Sequence, residues 1–272
     1  MKETLAILDY SVHGNAIDAE SDRLLAVAAT AAGLDAVVRS IAPGKSLRVD
    51  AGRIWLRYDL RSRRELSWLV RVASDLRQKG HRVFPSPMSI LLAGDKWETY
   101  HALRAAAIPT PATRLLLDPF PRRYPAMLKP RVGWGGKGNR VLQDATDCLA
   151  GISPEDTIVQ PFIPHCRMWI VPVADGQELP AIEERREPER DGEARVSPLP
   201  DGGAGLAAAA ARALGLAAGT ADLIEGPEGL IVLEVNSAPC ISYPDLPEVD
   251  LAGPMVRAVL DGMALEEQGR PK

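Results

Sequence analysis

Near the C-terminal end of this 272-residue chain, Asp222, Glu234 and Asn236 carry oxygens at a spacing that could hold a cation. Glu234 and Asn236 interrupt the run L-I-V-L-E-V-N-S-A-P-C over residues 230–240, whose apolar half reads as a sheet strand. Residues two apart in a strand share a face, so the carboxylate and the amide project together while Val235 turns away. Upstream, A-D-L-I over residues 221–224 is a second apolar run with one acid, and Gly226-Pro227-Glu228-Gly229 between the two is hairpin punctuation. Folding about that turn sets Asp222 opposite residue 233 or 234, which brings three oxygen donors within a cross-strand spacing of about 5 Å. Hard oxygen ligands of this kind suit magnesium. The same residues also fit the solvated ends of an edge hairpin, with Asn236 opening a turn.

A second chemical signal is P-A-M-L-K-P-R-V-G-W-G-G-K-G, residues 125–138. A strand ends in Lys129 and a glycine loop follows at once. Glycines let backbone N–H groups close on an anion, and a lysine at the strand end adds a point charge, so phosphate is the natural guest of Lys129, Gly133, Gly135, Gly136 and Gly138. The loop runs into another strand, unlike a Walker loop or a dinucleotide fingerprint, and a plain hairpin loop is the plainer alternative. Lys96 sits at a helix start, where N-terminal N–H groups favour anionic oxygens, although most such lysines are simply solvated. In T-I-V-Q-P-F-I-P, residues 157–164, a strand ends at Gln160 and Pro161 removes a donor. Backbone groups around Phe162 and Ile163 could read a purine edge there; an interdomain hinge is the alternative.

The elements that must position these residues alternate. Strands are expected at residues 4–8, 37–41, 53–58 and 82–84, and helices at 19–32 and 64–79, a βα order that implies a parallel sheet. Pro85 and Pro87 mark an expected linker near residues 85–90. A helix over 95–107 follows, then strands at 113–117, 126–129, 139–142, 157–160 and 168–173, an Ala-rich helix at 206–216, the acidic hairpin, and a last helix from 249 to 260. The charged stretch 183–195 reads as an exposed hairpin or loop from which Arg195 could reach a site. After the strand ending at Tyr58 comes R-Y-D-L-R-S-R-R, at a carboxyl end where α/β sheets bind ligands. Arg57 and Arg61 are therefore candidates for holding an acidic substrate.

Bulk composition sets the limits. With 46% hydrophobic and 25% charged residues, the chain matches globular averages, and two domains are expected from its length. A net charge of −4 argues against a general nucleic-acid binder. Three scattered cysteines, Cys148, Cys166 and Cys240, indicate neither a disulfide framework nor a zinc site and fit a reducing cytoplasm. No apolar run suggests a signal peptide or membrane span. Cys240 lacks an evident base and reads as a packing residue.

Taken in order, Lys96 before a helix, I-P-T-P, M-L-K-P with its glycine loop, V-Q-P-F-I, Arg167 leading a strand, an Ala-Leu-Gly-rich helix, A-D-L-I and L-E-V-N-S-A-P resemble the ATP-grasp superfamily over roughly residues 89–262. The E-V-N-S-x-P ending is most similar to its RimK/LysX-like branch of carboxylate–amine ligases, which includes enzymes that add glutamate to protein tails or act on an amino-group carrier protein. The resemblance implies an α/β N-terminal domain (residues 1–88) followed by an α+β ATP-grasp fold of two lobes (89–160 and 161–272). It implies ATP held by Lys96, Lys129, the loop Gly133 to Gly138 and residues Gln160, Pro161, Phe162 and Ile163. Asp222, Glu234 and Asn236 would bind two magnesium ions, with manganese as a substitute, and Arg167 would be the catalytic cation in formation of an acylphosphate. The implied partners are a carboxylate and an amine, from a small molecule or a peptide tail, and relatives suggest a homo-oligomer. Two other readings of the same fold are a regulatory nucleotide-binding protein without turnover and a small-molecule kinase. The glutamate-adding members lead one to expect an Arg-Ser-Asn triplet, where this chain has Arg195-Val196-Ser197, and a glycine where it has Cys240.

Overall fold

The structure, a computed structural model, describes residues 3–11, 16–117, 123–144, 147, 149–165, 167–175, 177–185, 194–226 and 229–268. Cys148, Cys166, the Pro227-Glu228 turn and residues 186–193 of the charged stretch lie outside the described residues.

The first unit contains β1 (Thr4–Tyr10), α1 (Ala16–Ala31), β2 (Asp35–Ser40), β3 (Arg53–Tyr58), α2 (Arg63–Gln78) and β4 (Arg82–Phe84). The four strands form one sheet in the order β2-β1-β3-β4, and every pairing is parallel, as the βα alternation predicts. β1 is central, with Leu5 to Leu8 almost wholly buried. The chain leaves β1 for β2 on one side and returns to β3 on the other, so a topological switch point lies between the carboxyl ends of β1 and β3.

The expected linker near 85–90 is mostly helix. α3 (Pro87–Gly94) begins at Ser86, whose hydroxyl accepts from the Ser89 N–H at 3.1 Å, with proline in the first turn where its missing donor costs nothing. The prolines there start a helix rather than a linker. Asp95 closes α3 and caps α4 (Lys96–Ala105), accepting from the Trp97 N–H at 3.0 Å.

The second sheet is antiparallel, ordered β5-β8-β6-β7, from β5 (Arg114–Leu115), β6 (Ala126–Pro130), β7 (Arg140–Leu142) and β8 (Thr157–Pro161). The third is ordered β12-β11-β9-β13-β14, with β10 (Gln177–Glu178) off the path on β9. Its strands are β9 (Arg167–Ala174), β11 (Ile182–Arg185), β12 (Ala194–Val196), β13 (Ala218–Gly226) and β14 (Gly229–Asn236), backed by α5 (Gly203–Ala213) and α6 (Ala252–Gln268). The charged stretch thus contains the hairpin β11–β12. On the helix side, Trp169, Val171, Ala221, Leu223, Val232 and Val235 are at most 3% exposed, which leaves the alternate residues to face away from this core.

Hydrophobic contacts cross the expected boundary at residue 88. Leu5, Ile7 and Trp55 of the first sheet belong to the same buried cluster as Trp169, Leu223 and Met255, and α1 packs on α6. The second sheet instead rests on a small cluster of its own, Leu116, Ala126, Leu128, Leu142 and Val159. Among the described residues no helix is long and apolar enough to cross a membrane.

Candidate active site

A cavity of about 540 Å³ opens where the three sheets meet. The second sheet contributes Lys129 and the glycine loop that follows it, the third Asp222, Glu234 and Asn236, and the first unit Asp18 from α1 with Tyr58 and Asp59 from the end of β3.

The oxygen wall follows from strand register. β13 and β14 are antiparallel, with Asp222 opposite Glu234 and Thr220 opposite Asn236, and an irregularity between Asp222 and Leu223 leaves Leu233 unmatched. Met168 and Ile170 from β9 continue this face. The Asn236 amide donates to Thr220 Oγ1 at 3.5 Å, and the residue lines the cavity. Glu234 Oε1 lies 3.1 Å from Lys96 Nζ, which also donates to the Gly133 carbonyl at 2.5 Å. Lys96 therefore ties the oxygen wall to the root of the glycine loop. Among the described residues no group of three His, Cys, Asp or Glu side chains could hold a metal. The candidate set is accordingly two carboxylates and one amide, all hard oxygen donors on adjacent strands, and that donor set fits magnesium.

Backbone conformation at the loop demands glycine. Gly135, Gly136 and Gly138 have φ of 61, 68 and 80°, the left-handed region, and a Cβ on Gly138 would lie 2.9 Å from Pro130 Cγ. The loop root is fixed by the Lys96 N–H, which donates to the Arg131 carbonyl at 2.8 Å, and by Arg131, whose guanidinium holds the buried Asp95 carboxylate at 2.6 Å.

Gln160, Pro161, Phe162 and Ile163 all line the cavity. Two of the backbone groups expected to read a base are already engaged: the Phe162 N–H donates to the Pro125 carbonyl at 3.1 Å, and the Ile163 carbonyl bonds with His165 Nδ1 at 2.8 Å. The Gln160 amide donates to Thr113 Oγ1 at 2.9 Å and is 6% exposed, so it braces β8.

An ATP-grasp domain family model matches residues 93–182. A RimK-domain ATP-grasp protein from Sphaerobacter thermophilus superposes with a TM-score of 0.70 at 22% identity, over 94% of this chain and 99% of that one. D-alanine–D-alanine ligase from Bacillus anthracis superposes with a TM-score of 0.74 at 16% identity, over 99% and 100%. The chain has the ATP-grasp fold. In sequence it is similar to a probable alpha-L-glutamate ligase of Mannheimia succiniciproducens, 29% identical over 192 residues, a match spanning 62% of this chain and 63% of that protein. The resemblance thus runs to the RimK-like branch of ATP-grasp proteins.

The first-domain wall of this ATP-grasp cavity differs from the sequence expectation. Arg57 is 3% exposed, and its Nε donates to Asp22 Oδ1 at 2.9 Å, a buried ion pair off the cavity wall. Burial pushes Asp22 up to about 6 despite this partner, with Asp9 and Asp18 nearby adding to the rise. Asp9 and Asp18 are raised as well, chiefly by burial, and Arg57 opposes both. Arg61 is 38% exposed, with Nη2 3.9 Å from Asp59 Oδ2. The Tyr58 hydroxyl, pushed up to about 12 by burial, bonds to Ser237 just beyond the oxygen wall. The Ser21 hydroxyl accepts from the Ile241 N–H at 3.1 Å and lies 3.7 Å from Cys240 Sγ. Burial raises the Cys240 thiol, so it stays protonated near neutrality, as suits a packing residue.

Arg167 is not brought to the cavity wall. Strand alternation puts it with Trp169, over whose ring its guanidinium lies at 4.6 Å, while Met168 and Ile170 face the cavity. Its Nε and Nη2 donate to the two carboxylate oxygens of Glu183 at 2.8 and 3.1 Å, and Arg195 Nη2 donates to Glu183 Oε2 at 2.8 Å. Glu183 is fully buried between them. Sequence reasoning missed Glu183, Tyr58, Asp59 and Asp18. The carboxyl-end rule that singled out Arg57 and Arg61 also covered Tyr58 and Asp59, but positive charge drew the choice to the arginines. For Glu183, a buried acid inside a charged run carries no local signature.

Proposed function

We propose that this chain is an ATP- and magnesium-dependent ligase that joins a carboxylate to an amine through an acylphosphate. The supporting observation is the cavity in which Lys129 and a glycine loop face the Asp222–Glu234–Asn236 wall. ATP would lie with its phosphates between these walls and its base against residues 160–163, where Phe162 and Ile163 offer apolar surface. Asp222, Glu234 and Asn236 would hold magnesium, which supplies charge neutralisation for the transferring phosphoryl group. Lys129 adds a fixed positive charge, and Lys96, anchored on Glu234, keeps the loop root against the metal wall. The acceptor carboxylate would enter from the side of Tyr58 and Asp59 and attack the terminal phosphoryl group. An amine would then displace phosphate and leave the amide. We assign Arg167, with Glu183 and Arg195, to bracing the β9–β11–β12 edge behind the cavity rather than to contact with the reacting atoms.

The experiment is a panel of amino-acid and peptide carboxylates with hydroxylamine, ATP and magnesium. The reading predicts ADP, phosphate and a hydroxamate in equal amounts with at least one acid. A stable phosphoester would point to a kinase, and ATP binding without turnover across the panel to a regulatory protein. Either would overturn the ligase reading.

A further inference from the structure

Within the glycine-rich run 133–138, Trp134 is the one aromatic side chain. It lines the cavity, and two cations address its ring from different places. Lys137 Nζ, three residues on, lies 4.0 Å from the ring centroid, and Arg61 Cζ, from the first domain, lies 5.7 Å from it. The Lys137 contact is local and shapes the loop. The Arg61 contact crosses between sheets that rest on different hydrophobic clusters. Arg61 is well placed for this role. Its N–H donates to Glu65 Oε2 at 2.7 Å, and the next residue, Ser62, caps α2 by accepting from the Glu65 N–H, so the backbone beneath the guanidinium is fixed at a rigid helix start. The guanidinium lies between Asp59 on the first-domain wall and Trp134 on the glycine loop, and both line the one cavity.

We infer that Arg61 and Trp134 form a latch through which the first domain holds the glycine loop over the nucleotide, so that Arg61 is a positioning residue and not an acceptor ligand. Its root is fixed by Lys96 and Arg131, and Val132 is buried in the first domain's cluster, but beyond that root three left-handed glycines interrupt the loop and no strand pairing runs through residues 133–139. Cation–π contacts at exposed sites contribute about 0.5–1 kcal/mol, enough to bias a loop that opens and closes without freezing it. Asp59 Oδ2 lies 3.9 Å from the same guanidinium and keeps it beside the first-domain wall. This role rests on the nucleotide reading of the cavity only where nucleotide is added in the test below.

Lys137 is exposed, so trypsin cleavage after it reports loop opening directly. In the absence of nucleotide, Arg61→Ala and Trp134→Leu should each be cut about two- to fivefold faster than the parent, the factor that 0.5–1 kcal/mol represents. Arg61→Lys should recover most of the protection, and the Arg61→Ala/Trp134→Leu double variant should be no faster than Trp134→Leu alone. Adding magnesium and a non-hydrolysable ATP analogue should slow cleavage of the parent. With an acceptor found by the hydroxamate panel, Arg61→Ala should raise the KM for ATP by a similar factor and leave the KM for the acceptor unchanged. Equal cleavage of parent and Arg61→Ala, or additive single effects, would overturn the latch. A parent loop that nucleotide fails to protect would instead count against the nucleotide site, and the nucleotide-free comparison would still decide the latch.

Discussion

The two sides of the cavity are built on opposite principles. On the β13–β14 side, Glu234 is 26% exposed and Lys96 14% exposed, and their charges stay within reach of a ligand. On the first-domain side, Arg57 and Asp22 are 3% and 4% exposed and consume each other's charge. A charged group that must bind something keeps its solvent access and a partner that can be exchanged. One that must hold a frame is buried with a partner that cannot. The strongest charge signal in the first domain, the arginine-rich run after β3, therefore supplies one framework residue in Arg57, while its quieter members Tyr58 and Asp59 line the cavity.

The largest effect expected from this contrast is on stability. Arg57→Met leaves Asp22 buried without its cation and should cost about 3–5 kcal/mol in chemical denaturation, with the Arg57→Met/Asp22→Leu double variant recovering a large part. If Arg57→Met instead left stability intact and raised only the KM of an acidic acceptor, the framework assignment would fail. On the other side, Asp222→Asn should leave the denaturation midpoint near the parent's and lower hydroxamate formation by on the order of 100-fold or more. Comparable loss of stability in both variants would erase the contrast between the two sides.

A subtler difference appears with pH. The folded Asp22 titrates at about 6, above its ordinary 3.8, so the folded state binds more protons than the unfolded chain between those values. Stability should therefore fall as pH rises through that window and level off above the folded value. Asp9 and Asp18, also raised, add to the same slope. Denaturation midpoints from pH 4 to 7 should show this slope, and Asp22→Asn should flatten it; an unchanged slope would remove Asp22 as its source. The smallest expected effect concerns Cys240. With its thiol raised by burial, peptide mapping after iodoacetamide treatment at neutral pH should show it alkylated more slowly than a model thiol, and fast labelling would contradict its role as a packing residue.

Much of the oxygen wall and the glycine loop was legible in the sequence because each part is local. Residues two apart on β14, a lysine at the end of β6 and glycines in a row each carry their own geometric consequence, and the register of β13 against β14 set Asp222 opposite Glu234, one of the two positions expected. The first sheet was legible too, since βα alternation dictates parallel pairing. Other features were hidden for identifiable reasons. Pro85 and Pro87 read as breakers, but a serine cap turns Pro87 into a helix start. The domain boundary at 88 came from those prolines, whereas the buried cluster joining Leu5 to Trp169 depends on tertiary packing that no local pattern reveals. The resemblance gives Arg167 a place at the site because it leads a strand in the expected order. Which face it occupies followed only once Trp169 proved to be core and Met168 cavity-lining. The Glu183 carboxylate that engages it lies 16 residues on, across a strand pairing.

In the proposed reading, the Asp222–Glu234–Asn236 wall grips a nucleotide through a divalent cation. Titration calorimetry of ATP into the parent and into Asp222→Asn, each with and without magnesium, tests it most directly. ATP should bind the parent more tightly with magnesium, and Asp222→Asn should lose most of that magnesium dependence. Identical magnesium dependence in the two proteins would contradict it.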